Sequence, residues 1–309
     1  MLIAGHLDTV HDPAGDFQAL SIEPGGKRAT GPGCVDMKGG LVIAVAALEA
    51  LEEAGIDCGW SVLLNSDEET GSYHSNGALV SAAKRHSVGL ALEPALPGGE
   101  LAVERMGAGQ FCVRAHGRAA HVGRDFSSGI SAVTALAEQL VQLAAIPDAE
   151  RGLILSVGPL VGGQATNAVP EFAAGWGNVR FVDQAGAEEL IEQLEALATE
   201  GEGGLPRIEV VWDFNRPAKP MTEGTERLAL LARAAAESLG QELPFAKTGG
   251  VCDGNQLQAA GLPTIDTVGV RGGGLHTLDE WIDLTSLVER CQLLAVLLSR
   301  VAGRAWEGA

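Results

Sequence analysis

Hydrophobic positions recur with two different periods along the chain, and the alternation between them outlines a fold. The opening run Leu2-Ile3-Ala4, WSVLLNS (60–66) and VGLALEP (88–94) are short and continuously apolar, the pattern of strands covered on both faces. KGGLVIAVAALEALEEAG (38–55) has the length and apolar faces of a helix stopped by Gly55, and a polar, helical stretch separates residues 66 and 88. Strands alternating with helices predict an α/β domain on a mostly parallel sheet, where chemistry gathers at the carboxyl ends of the strands. The suggestive His and acidic residues stand at such ends: after LIAG, after VLLNS and inside LALEP.

Near residue 106 the texture changes. GAGQFCVRAHGRAAHVG (107–123) reads as a strand with a turn, followed by a helix over 128–145 and a strand over 152–158. An alternating strand over 171–182, a helix over 185–199 and a strand over 207–213 complete a β-α-β-β-α-β unit, ferredoxin-like and of α+β type. The acidic TEGEGG (199–204) reads as a solvated turn, and NRPAKPMTEG (215–224) as the linker out. A helix (224–239), a strand (263–268) and a final helix (284–302) resume the first texture. The expectation is a discontinuous domain, 1–105 plus 219–309, with 106–218 inserted.

Composition narrows the class. Of 309 residues 46% are hydrophobic, which is globular, and no apolar run approaches the roughly 20 residues that span a bilayer. No basic-then-apolar leader opens the chain, so a soluble, cytoplasmic protein is expected. A net charge of -19 repels nucleic acid and anionic membranes. The five cysteines are scattered without a C-x-x-C pair, which argues against a disulfide framework or a Cys-rich zinc site.

Five segments then carry the chemistry: GHLDT (5–9), GPGCVDMKGG (31–40), NSDEETGS (65–72), LALEP (90–94) and GGGLHT (272–277). They supply His6, Asp36, Glu69, Glu93 and His276, with Asp8 and Glu68 alongside. Two imidazoles and three carboxylates suit a pair of divalent ions of the zinc type, one carboxylate bridging. Residues i and i+2 of a strand share a face, so Asp8 can sit behind His6 and orient its ring. Each residue also has an ordinary alternative. His6 and Asp8 can be a simple hydrogen-bonded pair, Asp36 a helix cap, DEE a solvated turn, Glu93 part of a hydrogen-bond cluster and His276 a loop histidine.

In their order, and spread from residue 3 to about 300, these segments resemble the dinuclear zinc metallopeptidase and deacylase family. That family includes bacterial glutamate carboxypeptidase, acetylornithine deacetylase, succinyl-diaminopimelate desuccinylase and aminoacylase. The resemblance implies a zinc-exopeptidase-like catalytic domain, an inserted dimerisation domain and two Zn2+ per subunit, with Co2+ or Mn2+ as substitutes. It places His6 and Glu93 on one ion, Glu69 and His276 on the other and Asp36 between them, with a cis peptide after Asp36. It makes Glu68 the general base. GRAAHVG matches the segment whose histidine, here His121, polarises the scissile carbonyl in a partner subunit, which implies a homodimer through 106–218. GGQATNAVPEFAAGWGNVRF (162–181) matches the segment bearing Asn167 and Arg180, the latter a clamp for a substrate carboxylate. His121 as a turn residue and Arg180 as a surface charge are the plainer readings.

TGGVCDGN (248–255) supplies Gly249, Gly250 and Asp253 to line or support the pocket, Gly250 against substrate. His11, His74, His86 and His116 are expected at the surface, and Cys34 and Cys252 as buried packing residues. The function implied is hydrolysis of an amide bond in a small peptide or N-acyl amino acid with a free carboxylate, a glutamate-releasing carboxypeptidase being favoured. An amino-acid N-deacylase is the close competitor. A non-catalytic binding protein on the same fold is the reading from another class, and the presence of Glu68 speaks against it. Family members usually carry several tens of residues before H-x-D. Without them, exposed apolar surface and an unpaired strand edge are expected.

Overall fold

A computed structural model describes residues 1–303. The chain divides into two compact units, one formed by Met1–Arg105 with the chain from Lys219 onward, the other by Met106–Ala218.

The first unit is built on four parallel strands in the order Thr264–Ile265, Gly89–Ala91, Leu2–His6, Ser61–Asn65. Leu2–His6 lies inside the sheet and is buried along its whole length, as its unbroken apolarity requires. From it the chain pairs first on one side, with Ser61–Asn65, and then on the other, with Gly89–Ala91. That reversal opens a crevice at the carboxyl ends, where His6, the 66–72 loop and Glu93 all emerge. The helix Gly39–Glu53 crosses closely behind: a Cβ on Gly40 would meet the Leu92 carbonyl oxygen at 2.2 Å. Ile3 and Leu90 of the sheet, Leu92 just after it, Ile43 and Ala47 of this helix and Leu294 and Leu298 of the helix Leu284–Ala302 share one core.

Ser61–Asn65 is not covered on both faces. It is an edge strand, with Val62 42% and Leu64 46% exposed. Continuous apolarity reports a capacity for burial, and the position of a strand within the sheet decides whether it is realised.

Two further pairings lie outside the expected elements. Gly272–Gly273, Trp281–Asp283, Arg28–Thr30 and Ser21–Ile22 make a small antiparallel sheet, and Leu101–Arg105 pairs parallel to Phe245–Thr248. At the boundary with the second unit, Arg105 and Lys219 exchange both main-chain hydrogen bonds, each 2.9 Å. The buried Asp266 carboxylate accepts from Arg105 Nε at 2.9 Å and lies 3.3 Å from the equally buried Lys219 Nζ.

The second unit carries a five-stranded antiparallel sheet in the order Thr199–Glu200, Arg207–Arg216, Gly107–His116, Phe172–Phe181, Ile154–Gly162. Its helices, Ala132–Leu143 and Gln184–Glu195, begin where Ser131 and Asp183 side chains accept the Thr134 and Gly186 amides. Leu136, Leu190 and Leu194 of these helices share a core with Val113, Ala115 and Val179 of the sheet. Residues 199–204 are mostly exposed but are more than a turn, since Thr199–Glu200 pairs with Arg207 and Ile208. The sheet also runs into the expected linker, to Arg216. A separate two-stranded ribbon joins Ala120–His121 to Ala168–Val169. Among the described residues, no helix is long and apolar enough to cross a membrane.

Candidate metal centre

Three loops at the carboxyl ends of the parallel strands, and a turn of the small sheet, bring the acids and imidazoles together. His6 ends the buried strand, and its ring is held from behind. Its Nδ1 lies 3.0 Å from the main-chain oxygen of Asp8 and 3.4 Å from the Asp8 carboxylate. Nδ1 therefore donates to Asp8, and Nε2 turns toward Asp36, whose Oδ1 lies at 3.2 Å. Asp8 thus meets the His6 ring chiefly with its carbonyl, while its carboxylate accepts the Glu69 amide at 2.9 Å.

Asp36 sits in the bend before the long helix with an extended, non-helical backbone (φ -115°, ψ 95°). The Asp36–Met37 peptide is cis. Asp36 Oδ2 lies 3.5 Å from Nε2 of His276, and the same nitrogen lies 3.4 Å from Oε2 of Glu69. One carboxylate thus faces two imidazoles, one with each oxygen. His276 reaches this position from a backbone in the left-handed region (φ +61°), which His tolerates better than most residues. His6, Asp36 and Glu69 each offer a ligand atom within 4.8 Å of the others. Glu93 is buried at the end of Gly89–Ala91 and lines the same cavity, of about 470 Å3, as Asp36, Glu68, Glu69, Gly250 and His276.

The electrostatics are those of a cation hole. Burial, then the charges of Asp36 and Glu68, raise the Glu93 carboxyl well above its ordinary range. Burial, followed by the charge of Asp36, pushes Glu69 up to about 7. Burial opposes a charge on His6, yet the Asp36 hydrogen bond and the charges of Glu93 and Glu68 outweigh it and push the ring up to about 10. Crowded buried acids that hold protons against their own chemistry are acids arranged for a positive charge. The donor set, imidazole nitrogen and carboxylate oxygen with no thiolate, fits divalent ions of the zinc type.

The loop bearing Glu68 and Glu69 is braced from below. Asp67 accepts the His74 and Ser75 amides at 2.7 and 3.1 Å. Asp253 accepts from Ser72 Oγ at 2.5 Å and from Asn65 Nδ2 at 2.7 Å, so Asp253 supports the site rather than lining it. The Gly250 carbonyl accepts from Arg105 Nη1 at 3.1 Å. Arg105 is a cation on the cavity wall that the sequence patterns did not single out, and its guanidinium is bound to Asp266.

In the second unit, His121 and Asn167 meet on the short ribbon, where the Val122 amide donates to the Asn167 carbonyl at 3.0 Å. His121 Nδ1 accepts the Gly123 amide at 3.1 Å, which leaves the hydrogen of the neutral ring on Nε2. Arg180 stands on Phe172–Phe181 of the five-stranded sheet, where it donates to Asn178 Oδ1 at 2.5 Å.

Not every histidine expected at the surface is there. His11 is tucked in, its Nε2 2.8 Å from Glu280, and His86 is tied to Ser61 and the Ala82 carbonyl. His116 is half-buried beside Glu209, and His74 is exposed. Cys34 and Cys252 are buried. Glu280 itself went unnoticed: within LDEW it has no periodicity, and its partners lie far away in the sequence.

Known proteins resemble this chain in sequence and fold. The chain is 28% identical over 303 residues to carboxypeptidase G2 of Pseudomonas sp. (strain RS-16), covering 96% of this chain and 73% of that protein. It is 29% identical to a succinyl-diaminopimelate desuccinylase of Methylorubrum populi, over 97% of this chain and 82% of that one. The crystal structure of aminopeptidase PepT from Bacillus cereus superposes with a TM-score of 0.79 at 25% identity, over 97% of this chain and 80% of that one. Residues 2–300 match the peptidase family M20/M25/M40, and the chain belongs to that family of metal-dependent peptidases and deacylases.

Proposed function

We propose that this protein hydrolyses the amide bond of a small peptide or N-acyl amino acid bearing a free carboxylate, and that it is a carboxypeptidase of the glutamate-releasing type. The observation that carries the reading is the Asp36 carboxylate, with one oxygen toward His6 and the other toward His276. We assign His6 and Glu93 to one ion, Glu69 and His276 to a second, and Asp36 to both. Two zinc ions held there supply Lewis acidity and lower the pKa of water.

Glu68, on the wall of the same cavity, takes a proton from water and returns it to the leaving amine. His121 is suited to donate from Nε2 to the oxygen of the carbonyl under attack. Arg180 and Asn167 hold the substrate carboxylate, for which a planar guanidinium is the natural partner. Similarity to carboxypeptidase G2 supports the carboxypeptidase reading, and similarity to a succinyl-diaminopimelate desuccinylase supports the second, an N-deacylase. Both present an amide close to a carboxylate.

We further propose a cytoplasmic homodimer joined through 106–218. In its support, the five cysteines are free and Ile154–Gly162 is a nine-residue exposed edge strand. Metal analysis combined with a panel of C-terminal glutamate peptides and N-acyl amino acids tests the function. Zinc-loaded protein that cleaves none of them overturns the hydrolase reading in favour of a binding role.

A further inference from the structure

Glu280 is a buried carboxylate that the chemistry above does not use. Its side chain is 2% exposed. Oε2 accepts the Gly33 amide at 2.7 Å and lies 2.8 Å from His11 Nε2. Oε1 accepts the Val35 amide at 2.9 Å and the Asp36 amide at 3.1 Å. Gly33 lies in the left-handed region (φ +66°), and a Cβ there would meet Thr9 Cγ2 at 2.5 Å. Around this glycine the chain folds so that three amides of one turn point to a common centre, a concavity suited to an anion. The anion is Glu280.

The turn so gathered is the one from which Asp36 projects. Glu280 follows His276 by four residues, and its main-chain oxygen accepts the Gly31 amide at 3.1 Å. It therefore ties the segment of Asp36 to the loop of His276 twice, once through the side chain and once through the backbone. We infer that Glu280 is a positioning residue: it holds the backbone of Asp36 at the angle that turns one carboxylate oxygen to His6 and the other to His276, and His11 holds Glu280 in turn. The inference rests on the metal reading above. A glutamine has the same shape but a single acceptor oxygen, and its amide hydrogens would confront the N–H groups that the carboxylate now receives.

Wild-type protein and Glu280→Gln, both metal-free, are titrated with Zn2+ against a chromophoric chelator, and the Co2+ forms are compared by their ligand-field spectra. Far-UV circular dichroism reports whether each is folded. The expected result is a folded variant with Zn2+ affinity lower by about 10- to 100-fold and an altered Co2+ spectrum. A folded variant with unchanged affinity and spectrum overturns the role of Glu280 and leaves the metal reading standing. Wild-type protein that binds neither ion overturns the metal reading itself, and this inference with it. If Glu280→Gln does not fold, His11→Ala decides, since it removes one of the four bonds and no buried charge. A several-fold weaker Zn2+ affinity supports the inference, and an unchanged affinity overturns it.

Discussion

The Asp8 carboxylate accepts the main-chain amide of Glu69 at 2.9 Å, although 61 residues separate them in the sequence. The residue behind His6 is thus also the anchor of the loop that carries Glu68 and Glu69. Through its carbonyl on one side and its carboxylate on the other, this residue sets the distance between an imidazole and two carboxylates of a different loop.

Asp8→Ala keeps the carbonyl that holds His6 but removes the acceptor of the Glu69 amide, so it should loosen the Glu68–Glu69 side of the centre. The expected outcome is a loss of about 10- to 100-fold in Zn2+ affinity, measured by chelator competition. Asp8→Asn keeps an acceptor for the Glu69 amide and should lose less.

Glu68→Gln should leave metal content unchanged and lower kcat by about 10^2- to 10^4-fold, the range for loss of a positioned proton acceptor. Metal analysis and steady-state kinetics on one preparation check both halves. Turnover close to wild type would show that Glu68 is not the base.

Arg180→Ala should raise KM for substrates with a free carboxylate by about 10- to 100-fold, the worth of one or two hydrogen bonds to a charged group. Analogues amidated at that carboxylate should lose much less. Equal losses on both series would remove Arg180 from substrate recognition.

The buried trio Arg105, Asp266 and Lys219 makes a prediction about stability and pH. Burial disfavours the Asp266 charge, but Arg105 and Lys219 outweigh it and hold the carboxyl below its ordinary range. The unfolded chain binds this proton at a higher pH than the folded one, so the contribution is present above the ordinary Asp value, ~3.9, and is lost as the pH falls below it. Asp266→Asn leaves two cations in the interior without a counter-charge and should cost about 3–5 kcal/mol at neutral pH. Urea unfolding of both proteins between pH 3 and 7 checks it: the difference should shrink toward the acid end.

Much of this was legible in the residues, and the failures have physical causes. Long periodic segments declare themselves: the final helix spans Leu284–Ala302, as its pattern indicates, Ala132–Leu143 falls within its expected range, and Gln184–Glu195 begins one residue before its own and ends four short of it. His6, Asp36, Glu93 and His276 could be picked out because each interrupts apolar or glycine-rich surroundings with a group that needs a partner, and Glu69 because its acidic run follows an apolar strand. Glu280 and His11 could not, since each satisfies the other, and the remaining partners of Glu280 are main-chain amides, which have no letter of their own. Ser61–Asn65 was misjudged for a related reason: its composition is that of an interior strand, and only the sheet order shows it at the rim.

The paired main-chain bonds between Arg105 and Lys219 close a doorway through which the whole stretch 106–218 leaves and returns. Because the two sides of that doorway already touch, a two- or three-residue bridge can replace 113 residues without stretching the flanking backbone. The stretch is therefore a cassette: removable to ask what the metal-bearing part achieves unaided, and exchangeable for the equivalent of a cousin to ask where substrate preference resides.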